Sequence, residues 1–245
     1  MLDAFYAIEK QIHPPVLDTA YTSDQAIVSV DFVHVPNSDT MTIVFPPWHA
    51  PEWFTRHLKQ QLVGQHSNAL IYAFNPMILS QNVMSVKNSF EFIALSIAED
   101  FKKLHAQKHF RVVNLLGLSI GSVALCITAE KLPHIDSITL VVPGNDLASS
   151  MWDGWRTRRL RNTIKTEGYK LAELQNEWDD LAPQAHIETL KSHPVHIVLA
   201  KQDHFIPYQY GRELFDALHM LNPMTTCHIS PFGHIATILR YTLEG

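Results

Sequence analysis

Glycine is scarce in this 245-residue sequence, at nine residues, and cysteine is scarcer, at two. Two cysteines cannot build a disulfide framework, and neither Cys126 nor Cys227 stands in a CxxC pair or beside a cluster of metal-ligating residue types. Charge is also thin: Asp, Glu, Lys and Arg make up 18% of the chain, against roughly 25% in an average globular domain. Hydrophobic residues reach 46%, which excludes a disordered chain, since disorder needs the opposite balance. An excess of positive charge is missing too. The net charge is -5 and the pI about 6.3, so no global positive field draws the chain to nucleic acid. No run of about 18 apolar residues occurs, and no membrane span is expected. The opening MLDAFYAIEKQIHPP carries Asp3 and Glu9 and lacks a cationic start followed by a long apolar core. It does not read as a secretory signal, and cytoplasmic residence is the expectation.

Short apolar runs occur at 27–33, 42–45, 70–74, 112–116, 138–142, 196–200 and 225–229. The first alternates, as a half-buried edge hairpin does. The next five are nearly continuous, as strands buried on both faces of a parallel sheet are. Helical stretches at 51–66, 86–108, 119–132, 207–220 and 233–242 separate them. Strand and helix in alternation predict an α/β fold, a mostly parallel central sheet with helices on both faces. About fifty residues between Val142 and His196 break the rhythm, too many for a simple crossover. The boundaries that follow are a core of 1–143 and 191–245 and a small helical insertion at 144–190. The insertion is basic first (Arg156, Arg158, Arg159, Arg161, Lys165) and then acidic (Glu167, Glu173, Glu177, Asp179, Asp180). Two helices pairing opposite charges is the plain account, and a site for an anionic substrate group is the functional one.

With so few glycines, their places carry information. Two flank Ser119 in Gly117-Leu118-Ser119-Ile120-Gly121, after the buried strand 112–116 and at the head of an apolar helix. A serine on a sharp strand-to-helix turn needs tiny neighbours two residues to either side, because the turn crowds them against backbone. The helix N-terminus beneath such a serine favours developing negative charge. A serine hydroxyl needs a base, commonly a neutral imidazole. Among fifteen histidines His234 stands out, in Pro231-Phe232-Gly233-His234, just past the last strand. The imidazole in turn needs a carboxylate. Asp203 lies directly after the strand 196–200, in Lys201-Gln202-Asp203-His204-Phe205-Ile206-Pro207, and Asp146, after the strand 138–142, is its rival. All of these fall at C-terminal strand ends, where open α/β sheets place their sites.

These motifs, in the order Ser, Asp, His, give the chain a resemblance to the α/β-hydrolase family along essentially its whole length. The stretch QDHFIP is similar to the family's acid loop and PFGHI to its histidine loop, and 144–190 occupies the usual cap position. The resemblance implies a serine hydrolase with Ser119 as nucleophile, Asp203 as acid and His234 as base. One oxyanion donor is then the backbone N–H of Ile120. The second comes from Phe45-Pro46-Pro47-Trp48-His49, a departure from the His-Gly that many members carry there. Prolines have no N–H to give, so Trp48 is the expected donor, and an X–Pro bond in this loop is a candidate for cis geometry.

The implied reaction is hydrolysis of a carboxylic ester through an acyl-enzyme, on a small-molecule acyl substrate and without a cofactor. Thioesters and carbon–carbon bonds beside a ketone stay open, because the same three residues serve them, and so does a catalytically silent binding protein of this fold. Trp48, His49, Trp152 and Trp155 are the candidates for substrate contact, with Trp178 a further aromatic of the insertion. Any of the tryptophans is equally placed to pack the insertion onto the sheet. His105 and His109 share helical spacing, but no Glu follows His105 and no third ligand is near His193 and His196, so no metal is expected.

Overall fold

The computed structural model describes residues 26–75, 78–80, 82–155 and 157–244. The opening segment read above as lacking a signal, and Arg156 of the basic run, lie outside them. Seven strands form one sheet: β1 (Ile27–Val33), β2 (Thr40–Phe45), β3 (Asn68–Phe74), β4 (Val112–Leu118), β5 (Ser137–Val141), β6 (Val195–Ala200) and β7 (Thr226–Ser230). Their order is β1-β3-β2-β4-β5-β6-β7. Every pairing is parallel except that of β1 with β3. The mostly parallel sheet is therefore as the sequence predicts, with one correction. β1 is an edge strand but not half of a hairpin: it passes over β2 and pairs with β3, with an irregular register between Ile27 and Ser29.

Side-chain period two sorts the inner strands onto two faces. Ile43, Leu115, Leu140 and Leu199 point into one core, while Val44, Val141 and Val198 point into the other. Helices α1 (Glu52–Gly64) and α9 (His234–Glu244) cover the second face with Phe54, Leu58, Leu62 and Ile238. The first face takes α2 (Val83–Gln107), α3 (Gly121–Ala129) and α8 (Tyr208–Leu221). All nine residues of α3 are buried, and a helix apolar on every side has to be buried on every side. The expected helix at 119–132 thus starts two residues later, which leaves Ser119 and Ile120 in the turn.

Residues 144–190 form α4 (Leu147–Asp153), α5 (Arg158–Thr166), α6 (Leu171–Glu177), two 3-10 turns and α7 (Ile187–Leu190). Leu147, Leu160, Leu174, Trp178, Leu181 and Leu190 join the same core as α2 and α3. Trp178 is buried and donates its indole N–H to the Val83 carbonyl (3.0 Å). His186, also buried, bonds Glu130 at the end of α3 (2.6 Å) and the Asp180 carbonyl (2.9 Å). The segment is thereby packed along the flank of the molecule. Among the described residues its basic and acidic halves form no ion pair with each other, contrary to the plain account of the sequence. Asp180 pairs with Lys87 of α2 (2.8 Å), Glu167 accepts from the Val83 N–H (3.3 Å), and Arg161 donates to the Trp152 carbonyl.

Candidate active site

The turn after β4 is tight enough to force the serine backbone into the left-handed region, with φ of 55° at Ser119. Both flanking glycines are required by contact. A Cβ on Gly117 would lie 2.9 Å from the Ser122 Cα, and one on Gly121 only 2.2 Å from the Phe45 carbonyl oxygen and 2.6 Å from that of Pro46. The second pair of distances also shows how closely the loop after β2 abuts the head of α3. Ladder hydrogen bonding continues past the strand, with Ser119 N–H donating to the Val141 carbonyl (2.8 Å).

Three side chains from three strand ends meet here. Nε2 of His234 lies 2.8 Å from Ser119 Oγ, and Nδ1 lies 2.6 Å from Asp203 Oδ2. The other carboxylate oxygen, Oδ1, accepts the backbone N–H groups of Phe205 (2.8 Å) and Ile206 (2.9 Å). The Asp203 and His234 side chains are 3% and 6% exposed, so this pair is held away from water. The Phe205 ring stacks on the imidazole, with centroids 4.9 Å apart and planes 29° from parallel. Asp146, the rival carboxylate, caps α4, accepting from the N–H groups of Ala148 (2.8 Å) and Ser149 (3.2 Å) and from Gln175 (3.2 Å).

Ser119 and His234 open into a cavity of about 480 Å³. Trp48 and His49 line it, with Trp53 and Phe54 of α1, Met151 of α4 and Ile235 of α9 among the apolar walls. Its polar side-chain groups besides those of Ser119 and His234 are the His49 imidazole, the Ser150 and Thr157 hydroxyls and the indole N–H groups of Trp48 and Trp53, and no Asp, Glu, Lys or Arg lines it among the described residues. Both hydroxyls are already spent: Ser150 donates to the Asp146 carbonyl (2.7 Å) and Thr157 to those of Met151 and Gly154 (2.7 and 2.8 Å). The described peptide bonds are all trans, so those of the Pro46-Pro47 loop are not cis.

No family model matches the sequence, and no curated protein does so either. Solved structures do. An esterase of Pyrococcus furiosus matches with a TM-score of 0.58 at 12% identity, over 95% of this chain and 93% of its own. An acylaminoacyl peptidase of Pyrococcus horikoshii matches with a TM-score of 0.66 at 11% identity, over 85% of this chain and 35% of its own. A cold-adapted esterase from an Arctic intertidal metagenomic library matches with a TM-score of 0.56 at 16% identity, over 84% and 78%. The fold is that of the α/β-hydrolases.

Within the α/β-hydrolase fold two sequence expectations need correction. Trp152 and Trp155 do not line the cavity. Trp152 is half-buried against the core with the Lys165 ammonium 4.9 Å over its ring, and Trp155 is 65% exposed. The arginines of α5 do not line it either. The walls that sequence reasoning missed, Trp53, Met151 and Ile235, belong to helix turns that tertiary packing brings to the mouth. Only Ile235 carried a local signal, as the neighbour of His234. His105 and His109 face each other edge-on at 5.2 Å, and no group of three or more metal-ligating side chains forms among the described residues. None of the helices there is long and apolar enough to cross a membrane.

Proposed function

We propose that this chain is a serine hydrolase that cleaves carboxylic esters of uncharged, apolar acids through an acyl-enzyme on Ser119. The observation that carries the reading is the unbroken hydrogen-bonded chain from Asp203 through His234 to Ser119, ending in a cavity with no charged wall among the described residues. Two of the fold neighbours are esterases, which supports the same reaction class.

His234 takes the Ser119 proton at Nε2 as Oγ attacks the acyl carbonyl. Asp203 holds the Nδ1 proton and stabilises the imidazolium, and its own position is fixed by two backbone donors. The oxyanion is met by the N–H of Ile120 at the head of α3 and by that of Trp48, in the loop that abuts it. His234 then protonates the leaving alcohol and activates the water that releases the acid. Segment 144–190 acts as a cap in this reading, with α4 supplying Leu147, Ser150 and Met151 to the cavity wall. Trp48 and His49 contact the substrate. A volume of about 480 Å³ lies within the usual range for small-molecule sites, and a carboxylate or phosphate inside it would lose its hydration without meeting a Lys or Arg among the described residues.

Hydrolysis of p-nitrophenyl esters of increasing acyl length, by wild type and Ser119→Ala in parallel, tests this. Neutral acyl esters are expected to turn over and the succinate half-ester is not, with all activity lost in Ser119→Ala. Turnover that survives the substitution would refute the mechanism. Labelling of Ser119 by a fluorophosphonate without turnover of any ester would move the substrate to a thioester or carbon–carbon bond.

A further inference from the structure

The two hydrogen bonds of His234, at Nδ1 and Nε2, act on the edge of its ring. Its face meets Phe205, stacked at 4.9 Å and 29°, and that contact opposes rotation of the imidazole about its Cβ–Cγ bond. Its backbone is pinned from two sides. The Phe205 N–H donates to Asp203 Oδ1 (2.8 Å). Its carbonyl oxygen lies so close to Gly154, at the end of α4, that a Cβ there would approach to 2.2 Å. Next to that contact the Trp155 N–H donates to the His204 carbonyl (3.2 Å), which ties segment 144–190 to the acid loop.

We propose that Phe205 is a positioning residue for the proton transfer at His234, holding the imidazole face so that Nε2 stays aimed at Ser119, with the backbone at Gly154 as its backstop. The inference rests on the serine hydrolase reading and goes beyond it in assigning a role to a side chain that makes no bond in the reaction. An aromatic face also favours the imidazolium that forms in the transition state, because the negative face of the ring attracts a cation. Leucine keeps apolar bulk at this position but has no flat face to lay against the imidazole.

The test compares wild type, Phe205→Leu and Phe205→Tyr by ester turnover and by the rate at which a small fluorophosphonate labels Ser119. In Phe205→Leu kcat and the labelling rate should both fall about tenfold, since aim and not occupancy is lost. KM should stay within about twofold of wild type, because the cavity wall remains apolar. Phe205→Tyr should restore both rates. Should Phe205→Leu fail to fold, as read by its melting curve, Phe205→Met carries the same comparison. Labelling of Phe205→Leu at the wild-type rate overturns the inference. Equal slowing in Phe205→Leu and Phe205→Tyr overturns it as well, since side-chain fit would then matter and the ring face would not. A wild type that is not labelled at all refutes the serine hydrolase reading, and this inference falls with it.

Discussion

In Asp203→Asn the carboxylate that binds His234 becomes an amide of the same shape, and the surrounding donors dictate how that amide sits. Oδ1 accepts two backbone N–H groups, from Phe205 at 2.8 Å and Ile206 at 2.9 Å. Neither donor can turn into an acceptor, so the amide oxygen keeps this place. The NH2 group then takes the position of Oδ2, 2.6 Å from His234 Nδ1. An amide nitrogen only donates, so Nδ1 must accept and the ring proton moves to Nε2. That nitrogen lies 2.8 Å from Ser119 Oγ, and once protonated it cannot take the serine proton. The base is lost while every heavy atom stays in place. A tautomer error of this kind lowers kcat by about four orders of magnitude, or roughly 5 kcal/mol of barrier. Asp146→Asn is the control. Asn keeps one capping oxygen for α4, but its NH2 replaces the other, which accepts from Ser149 and Gln175 or from Ala148, so melting should drop somewhat while activity falls by less than about tenfold. The assay is kcat/KM on an ester that wild type hydrolyses, with melting curves for both variants. Asp203→Asn within tenfold of wild type, or Asp146→Asn the more damaged of the two, would refute the reasoning.

Asp100 on α2 is 2% exposed, accepts the Tyr72 hydroxyl at 3.1 Å, and has its carboxyl raised above the ordinary value by burial, with the Tyr72 bond and Lys103 pulling partly back. A raised value means that the folded chain binds the proton more tightly than the unfolded one. This contribution to stability is fully present below the unfolded value of about 4 and is lost as pH rises through the folded one. Asp100→Asn should therefore melt above wild type at pH 8, with the gap closing toward pH 4; a gap that widens toward pH 4 would count against the account. Trp178→Ala, at a buried position, should cost about 3–5 kcal/mol in urea unfolding, and Trp155→Ala, 65% exposed, about 0.5 kcal/mol or less. Equal costs would mean that segment 144–190 is not anchored through Trp178. Gly121→Ala drives a methyl into the Phe45 carbonyl at 2.2 Å and should cost about 1–3 kcal/mol together with fluorophosphonate labelling at Ser119, whereas normal labelling would show that the turn yields without cost.

What the sequence discloses of this fold is whatever is written within about ten residues of itself. The inner strands β2 to β6 read as apolar runs because both faces are covered, and period two does the rest. Pairing partners are a different matter. Nothing in Ile27–Val33 says that it skips β2 and joins β3, because that choice is made by the crossovers and not by the strand. The oppositely charged halves of 144–190 mislead for a related reason. Charge complementarity between neighbouring helices is cheap at a solvated surface and carries little energy. The buried Trp178, Leu174 and Leu181 decide instead where α6 and the turn after it lie, and that placement hands Asp180 to Lys87.

The site divides along the same line. Ser119, Asp203 and His234 were legible because each stands in a short motif directly after a strand, and the sheet alone brings such positions together. Of the cavity walls Trp48 and His49 were legible and the rest were not, since Trp53 and Trp155 look alike in sequence and only the packing of α1 brings Trp53 to the mouth. Backbone strain escaped the sequence for another reason: three of the residues held at positive φ, His49 (59°), Ser119 (55°) and Val142 (50°), are not glycine and give no warning. Each departs from a favoured conformation at a cost of order 1–3 kcal/mol, and all three lie at the C-terminal edge of the sheet. Hydrogen bonds one residue beyond the strands offset that cost at two of them: Ser119 N–H to the Val141 carbonyl at 2.8 Å, and Val142 N–H to the Val198 carbonyl at 2.7 Å. The ladder thus extends past the last strand residue just where the chain turns most sharply. A buried parallel sheet is rigid enough to hold the serine turn in a strained form, and at that edge Ser119, His234 and Asp203 meet.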